Sequence, residues 1–555
     1  MFTPEILRGL GSLRGFGPGE WARRYLPYAA VLVAVLLILL YGDKFWDAND
    51  DIHMAMVAGG YGLAAQPSPG IVYSNVIWGW LAMWARAPFG IQGYTLIAYA
   101  ATLASAAAVA WALLRRQVPG ILAAGVLLAM FAHALLEPQF SITAGFAAVA
   151  GLALACTLES RRDWPVAVAT VVLLLVASWI RLQECLLVCV VAAPFLGWRL
   201  YRQSGTPGFR PLLAVLVAVA ALAGASKLLD HEYYSGPQWQ QFREMNVLRR
   251  PFTDYGLHGY FGRHPELLQP VGMSHNDMEM LGDWFFLDDK VYNSQSLGYL
   301  LQHLSPGERL GLNLARFPAS AAPFSWPPVY FMALIALLAL VLARQRWVAI
   351  AGILCLLGCM LAMLLLGRPG VPHVFPAPLA AIAVLALLDH GQGTRLRLAA
   401  ICIGTALLAW ISLNAYDFFR VHALQARIGH TVRDRVCALA SQEFAVVWGA
   451  PEGFPDRYLY DPASPPGGRC ALHIYHVGVM GLLPDNLQQL HAYTGGQDLI
   501  PALLSGHPIR FFTTDHRLDE LTLYMHDHYS AKLTYTKLPS LPYLQQYLVQ
   551  VEDGH

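Results

Sequence analysis

Long apolar blocks alternate with short polar loops over most of the chain. A helix needs about 20 mainly apolar residues to cross a bilayer, and several of these blocks reach that length. The pattern therefore predicts a polytopic α-helical membrane protein with about eleven transmembrane helices. The predicted spans are 28–41, 91–114, 121–136, 144–158, 166–180, 186–200, 212–229, 330–342, 348–366, 374–388 and 398–413.

Arginine positions orient these spans, because basic residues favour cytoplasmic loops. They precede the first block and recur after every second crossing, which predicts an N-in, C-out topology in a bacterial inner membrane. No small-residue cleavage site follows the first block, so we expect it to be retained as a helix. The arginines that carry this orientation are Arg8, Arg14, Arg23, Arg24, Arg115, Arg116, Arg161, Arg162, Arg199, Arg202, Arg344, Arg346, Arg395 and Arg397.

Three polar stretches interrupt the helical pattern. A first outer loop covers 42–90, a long outer loop covers 230–326, and a tail begins at 416. In the tail, short β-like runs alternate with helix-like runs, which is typical of a small α/β domain. The sequence thus predicts a transmembrane domain over 1–415 and a soluble extracytoplasmic domain over 416–555.

Composition agrees with this membrane class. Hydrophobic residues make up 56% of the chain and charged residues only 13%, with a formal net charge of +1. No basic stripe indicates a nucleic-acid partner. Of the eight cysteines, only Cys437 and Cys470 lie in the polar tail, where they could pair in an oxidising compartment. No cysteine–histidine spacing predicts a zinc site.

An acidic cluster directly follows the first apolar block. Asp50 and Asp51 open a short helical pattern that glycines 59, 60 and 62 end, and the pattern predicts a helix lying on the membrane surface. The structural alternative is that Asn49 or Asp50 caps this helix. The functional interpretation is that one carboxylate, held partly out of water, has a raised proton affinity and serves as a general base.

Two arginines at predicted outer helix ends are candidates for binding phosphate. Arg181 lies between two apolar blocks, and ionisable groups at such depth usually face a cavity or a partner. Its structural alternative is an ion pair with Glu184 or Glu137. Arg368, with His373 close behind, is the second candidate, against the alternative of an ordinary loop arginine.

Further polar residues could line the same pocket. Asp277 and His275 belong to an acidic segment of the long outer loop whose spacing matches no tight metal motif, and such segments are more often solvated loops with capping aspartates. We therefore predict no metal cofactor, although a divalent ion stays open. The predicted lining residues are Asn49, His53, Tyr73, Asn75, Glu137, Glu184, His275 and Asp277.

This layout resembles the GT-C superfamily of polyprenyl-phosphate-sugar-dependent glycosyltransferases. The resemblance rests on Asp50–Asp51 after the first span, two surface helices before the second, the spans around Glu137–Pro138, and a soluble tail. The chain is most similar in arrangement to the lipid A aminoarabinose transferases and protein mannosyltransferases of this superfamily. This chain differs in having Asp-Asp where Asp-Glu is frequent, and Tyr73–Asn75 where many members have prolines.

The resemblance implies an inverting transfer outside the membrane. A sugar would move from a polyprenyl-phosphate donor to a glycan, lipid or protein, with one of the two aspartates as base toward the acceptor. A transporter, flippase or ligase of lipid-linked glycans is the alternative from another class, although no matching halves of the chain support it. A metal-dependent oligosaccharyl-type transferase is a third.

Overall fold

In this computed structural model, the described residues are 18–85, 92–391, 393–439, 444–449, 462, 473–539 and 545–552, with backbone alone for 18–24 and 439. Arg8, Arg14 and Cys470 lie outside them. Every apolar block predicted to span coincides with a helix. The first eight helices are α1 Pro18–Tyr41, α2 Asn49–Gly59, α3 Val76–Trp84, α4 Gly93–Arg115, α5 Gly120–Leu136, α6 Phe140–Ala155, α7 Trp164–Gln203 and α8 Phe209–Tyr234.

The remaining helices divide between the long outer loop, the last spans and the tail. Those of the outer loop are α9 Gln240–Thr253, α10 His258–Phe261, α11 Pro265–Leu268, α12 His275–Gly282, α13 Ser294–Gln302 and α14 Pro306–Ala315. Next come α15 Pro327–Leu342, α16 Arg346–Leu365, α17 Pro376–Leu388 and α18 Thr394–Leu439. The tail carries α19 Pro484–Thr494, α20 Leu499–Leu504 and α21 Asp515–Tyr529.

Helix length and apolar content confirm a membrane protein, but they do not fix the number of spans. Among the described residues, five helices are long and apolar enough to cross a bilayer, and a bent pair around α15 makes up to six. Four shorter apolar helices accompany them. The helix α7 joins two predicted spans, and its backbone leaves the helical conformation at Arg181 alone, with φ −157° and ψ 104°. Eleven spans and their orientation stay predictions.

The tail forms a five-stranded mixed sheet. Its strands are β1 Phe444–Val447, β2 His473–His476, β3 Ile509–Phe512, β4 Leu533–Lys537 and β5 Gln546–Val551, in the order β2-β1-β3-β5-β4. The strand β1 runs parallel to β2 and β3, whereas β5 is antiparallel to β3 and β4. Cys437 is disulfide-bonded. The helix α18 continues unbroken past residue 415, so it leads directly into this sheet.

The tail packs on the long outer loop, and together they cover α2. Trp448 donates its ring N–H to the Asp283 carbonyl at 2.8 Å, and Arg517 pairs with the Asp283 carboxylate at 2.8 Å. The Ile474 N–H reaches the Gly62 carbonyl just after α2. As a result, residues 51–58 are buried on every face. Protein therefore covers the helix, and its position at the membrane surface stays a prediction.

Candidate functional site

The two adjacent aspartates at the start of α2 have different surroundings. Asp51 is 1% exposed, and its carboxylate accepts the Tyr94 hydroxyl at 2.9 Å and the Phe140 N–H at 3.1 Å. Phe140 is the first residue of α6. A carboxylate at this position accepts a hydrogen bond from an N–H that has no partner within the helix, and its negative charge is stabilised by the positive end of the helix dipole. Asp51 therefore joins α2, α4 and α6.

Asp50 faces a group of charged side chains. Ala48 is the N-cap residue of α2, with no side-chain cap bond, so the capping role suggested for Asn49 or Asp50 is wrong. Burial raises the pKa of Asp50, while the positive charges of His53, Arg181 and Arg249 act in the opposite direction. A carboxylate with a raised pKa next to cations can accept a proton from a bound hydroxyl group.

The break in α7 presents Arg181 to this carboxylate. The Arg181 guanidinium donates to the Ser141 hydroxyl at 2.8 Å and lies over the Phe140 ring, with its central carbon 4.6 Å from the ring centroid. Of the two ion pairs considered for Arg181, the one with Glu184 forms, at 3.8 Å. The other Glu184 oxygen is buried and has no hydrogen-bond partner among the described residues. Both edges of the guanidinium are therefore oriented by α6 and α7.

The second predicted phosphate-binding group lies nearby. Arg368 follows α16 and is exposed, and His373 stands in the short turn before α17. The charges of Arg181 and Arg368 act on both Glu184 and His373. Two guanidinium groups therefore act on the same pair of side chains, which suits an anionic ligand.

Arg249 is a site residue that the sequence did not reveal. It belongs to α9, is 4% exposed, and pairs with Asp254 at 2.6 Å. Its guanidinium carbon lies 4.7 Å from the centroid of the Trp284 ring. In sequence it is one of two adjacent arginines in a polar loop, with no apolar flank of the kind that marks Arg181.

Three predicted lining residues surround Asp50 and the amino end of α2. The pKa of Tyr73 is raised well above 10.0 by burial and by the negative charge of Asp50. Asn49 is the first residue of α2. His53 is 2% exposed, and its ring meets that of His476 edge-on, with centroids 4.6 Å apart, so the tail sheet closes this side of the site.

Asn75 has a structural use. Its carbonyl oxygen caps α3 by accepting the Ile77 N–H at 3.0 Å, and its amide donates to the Ser226 carbonyl at 3.0 Å. The Asn75 N–H also binds the Trp179 carbonyl at 2.8 Å, close to the break in α7. Asn75 therefore fixes the segment that carries Tyr73.

The predicted acidic residues of the long outer loop hold the tail in place. Asp277 is fully buried, caps α12 through a reciprocal pair with Ser274, and lies 3.0 Å from a ring nitrogen of His528 in α21. His275 is exposed and bonds to the Gly262 carbonyl at 2.9 Å. Asp277 therefore has a role in domain packing, whereas His275 makes a contact within the outer loop.

Glu137, the remaining predicted lining residue, ends α5. Its carboxylate lies 2.7 Å from a ring nitrogen of His422 in α18. The ion pair with Arg181 considered for it is therefore replaced by a contact with the helix that leads into the tail.

Asp51→Ala should destabilise the protein. The substitution leaves the Tyr94 hydroxyl and the Phe140 N–H buried without an acceptor, which costs about 1–3 kcal/mol for each group. We expect a lower thermal unfolding midpoint in detergent, whereas Asp51→Asn keeps an acceptor oxygen and should change the midpoint much less. Asp289→Ala, at an exposed aspartate, is the control. An unchanged midpoint in Asp51→Ala would contradict this structural role.

The fold and the site define a class: a helical membrane protein in which a half-buried carboxylate and several arginines lie beneath a small α/β domain. No protein-family model and no curated protein sequence matches the chain. Among solved structures, it is similar to ArnT from Cupriavidus metallidurans bound to undecaprenyl phosphate, with 15% identity, a TM-score of 0.37, and coverage of 97% of this chain and 99% of that one.

The same protein in its apo state gives 13% identity and a TM-score of 0.38, covering 94% of this chain and 97% of that one. Both TM-scores lie below 0.5, so the function proposed below rests on the site and not on these likenesses.

Proposed function

We propose that the protein is a GT-C-type inverting glycosyltransferase. It takes a sugar from a polyprenyl-phosphate donor and transfers it to an acceptor hydroxyl at the extracytoplasmic face of a bacterial inner membrane. The observation that carries this proposal is the position of Asp50, a half-buried carboxylate whose charge interacts with the positive charges of Arg181 and Arg249 and which caps no helix. Asp51, bonded to Tyr94 and Phe140, acts as the structural member of the pair.

In the proposed mechanism, Asp50 removes the acceptor proton as the acceptor oxygen attacks the anomeric carbon. The bond from that carbon to the phosphate oxygen breaks, and the lipid phosphate leaves with the bonding electrons. A single displacement inverts the anomeric centre and needs one base. No cofactor or metal takes part in this proposed step.

Arg181 and Arg368 supply the positive charge for the leaving phosphate. Groups held in place where negative charge develops stabilise the transition state without having to reorganise. Arg181 meets this condition, because Ser141, Phe140 and Glu184 orient it before any ligand binds. His373 stands beside Arg368 as a further hydrogen-bonding group.

An apolar cavity fits the lipid part of such a donor. It measures about 580 Å³ and lies between α1, α5, α15 and α18, with hydrocarbon side chains over nearly all of its wall. Ligand pockets typically measure about 300–1,000 Å³. Leu37 and Tyr41 at its edge are exposed, so an isoprenoid chain could enter from the bilayer. The first outer loop connects this cavity to Asp50.

The tail forms the extracytoplasmic side of the proposed site. We assign residues 1–415 to the transmembrane domain and 416–555 to the extracytoplasmic domain. The contact between His53 and His476 makes the sheet part of the wall next to Asp50, where the acceptor would approach. The acceptor is a glycan, a glycolipid or a protein.

The direct test uses purified full-length protein in detergent or nanodiscs. Labelled polyprenyl-phosphate sugars are supplied with candidate acceptors, and lipids that co-purify with the protein are identified by mass spectrometry. Transfer of label, with a polyprenyl phosphate released, supports the proposal. Movement of intact lipid-linked glycans across vesicles without sugar transfer would favour the flippase alternative instead.

Transfer should increase with pH through the deprotonation of Asp50. Because burial raises its pKa, the midpoint of the kcat/KM profile should lie above 3.8, with activity lost as the pH falls through it. The positive charge of Arg249 lowers this pKa, so Arg249→Gln should move the midpoint to higher pH.

The matched control is Arg250→Gln, because Arg250 is the next residue along α9 and is exposed. Its profile should overlay that of the wild type. A midpoint unchanged in Arg249→Gln, or shifted equally in both variants, would show that Asp50 is not the group being titrated.

A further inference from the structure

Three potential metal ligands meet where α5 ends against α18. His133 lies in the last turn of α5, Glu137 is the residue that caps the carboxyl end of this helix, and His422 belongs to α18. One ligand atom from each side chain lies within 4.8 Å of the other two. These residues are separate from the proposed catalytic group of Asp50, Arg181 and Arg368.

The orientation of His422 turns its Nε2 toward Glu137. Its Nδ1 lies 2.7 Å from the Phe418 carbonyl oxygen, which can only accept, so the proton is on Nδ1. In the neutral ring, Nε2 then carries a lone pair, and it lies 2.7 Å from a Glu137 oxygen without hydrogen-bond geometry. Two electron pairs at this distance repel each other unless a cation or a second proton lies between them.

His133 provides the independent observation. Both of its ring nitrogens are buried, and neither has a hydrogen-bond partner in the described part of the chain. Leaving a buried polar group unpaired costs free energy. Its ring packs edge-on against Trp326, with centroids 5.0 Å apart, so the side chain is held in this position by packing.

We propose that His133, Glu137 and His422 bind one zinc ion or a closely similar transition-metal ion. Two imidazoles and one carboxylate form a three-ligand set that zinc accepts, with water in the fourth position. Nitrogen ligands favour zinc over magnesium or calcium. The bond from His422 Nδ1 to a carbonyl is the outer contact that commonly orients a metal-binding histidine.

The ion has a structural consequence. It fastens α18, which leads into the tail, to α5. Glu137 also begins the short connection to Phe140, whose N–H binds Asp51, so the ion steadies the loop between this cluster and α2. This role requires no assumption about the reaction that the protein catalyses.

The test measures metal in the full-length protein, purified without affinity histidines and dialysed after exposure to zinc. We expect about one zinc per chain in the wild type, falling to under about a tenth in His422→Gln. Zinc should raise the thermal unfolding midpoint of the wild type but not that of His422→Gln. His303→Gln is the matched control, since His303 also bonds through Nδ1 to a carbonyl four residues earlier, at 2.8 Å, but is exposed.

Cobalt in place of zinc gives a second measurement, one that needs no variant to fold. Cobalt bound by two imidazoles, a carboxylate and water should give the intense visible absorption of four-coordinate cobalt. Equal zinc content in the wild type and His422→Gln, or a wild type that gives no such cobalt band, would overturn the proposal. A proton would then occupy the gap between His422 and Glu137.

Discussion

Asp50→Asn should reduce transfer by about 10²–10⁴-fold, the usual contribution of a general base. The amide has nearly the same shape as the carboxylate but cannot take the acceptor proton. Asp50 makes no cap bond to α2, so the protein should still fold and bind the donor lipid. The measurement is sugar transfer under saturating donor, with polyprenyl-phosphate binding and thermal unfolding measured in parallel.

The adjacent aspartate provides the contrast for this experiment. Asp51→Asn keeps acceptor oxygen for Phe140 and Tyr94, so it should retain much more activity than Asp50→Asn. Asp289→Asn, at an exposed aspartate, should match the wild type. Full activity in Asp50→Asn, or equal losses at both positions of the pair, would remove Asp50 from its proposed role.

Arg181→Gln should lower kcat by about 10²–10³-fold, comparable to the removal of one preorganised donor to a developing anion. Glutamine carries no charge for the leaving phosphate. Arg181→Lys should recover part of the loss, since lysine restores the charge without the bidentate geometry of a guanidinium. Steady-state transfer and binding of polyprenyl phosphate separate an effect on the reaction from an effect on donor affinity.

The control for charge is Arg309→Gln, at an exposed arginine of the outer loop. It should change neither rate nor affinity. If Arg181→Gln transferred sugar normally while Arg368→Gln did not, the phosphate would lie beside Arg368 alone. Normal transfer in both variants and in the double variant would contradict the proposed phosphate site.

Some parts of the site could be predicted from sequence because the membrane makes them conspicuous. Arg181 interrupts a long apolar run, where a charged side chain is costly unless it faces a partner or a cavity. Asp50 and Asp51 are conspicuous for the same reason, because they follow an apolar block. Arg249 has no such contrast with its neighbours, and its place beside Asp50 follows from the folding of the outer loop.

The division of roles between the two aspartates illustrates a second limit. Adjacent helical residues point about 100° apart, so the sequence indicates that one of them turns inward but not which. The partners of Asp51 lie 43 and 89 residues further along the chain, at Tyr94 and Phe140. Local pattern holds no information about such contacts. The same limit applies to Glu137 and His422.

The sequence by itself determined the membrane class, the places where helices form, and the mixed helix and strand content of the tail. Each of these follows from hydrophobic periodicity, which is local. Tertiary structure alone decided that α2 is buried beneath the tail, that Asp51 is structural, and that His422 meets Glu137. Those outcomes depend on which surfaces come together when distant segments pack. The free energy of that packing is set by both segments in contact, so it cannot be predicted from the local sequence of either one.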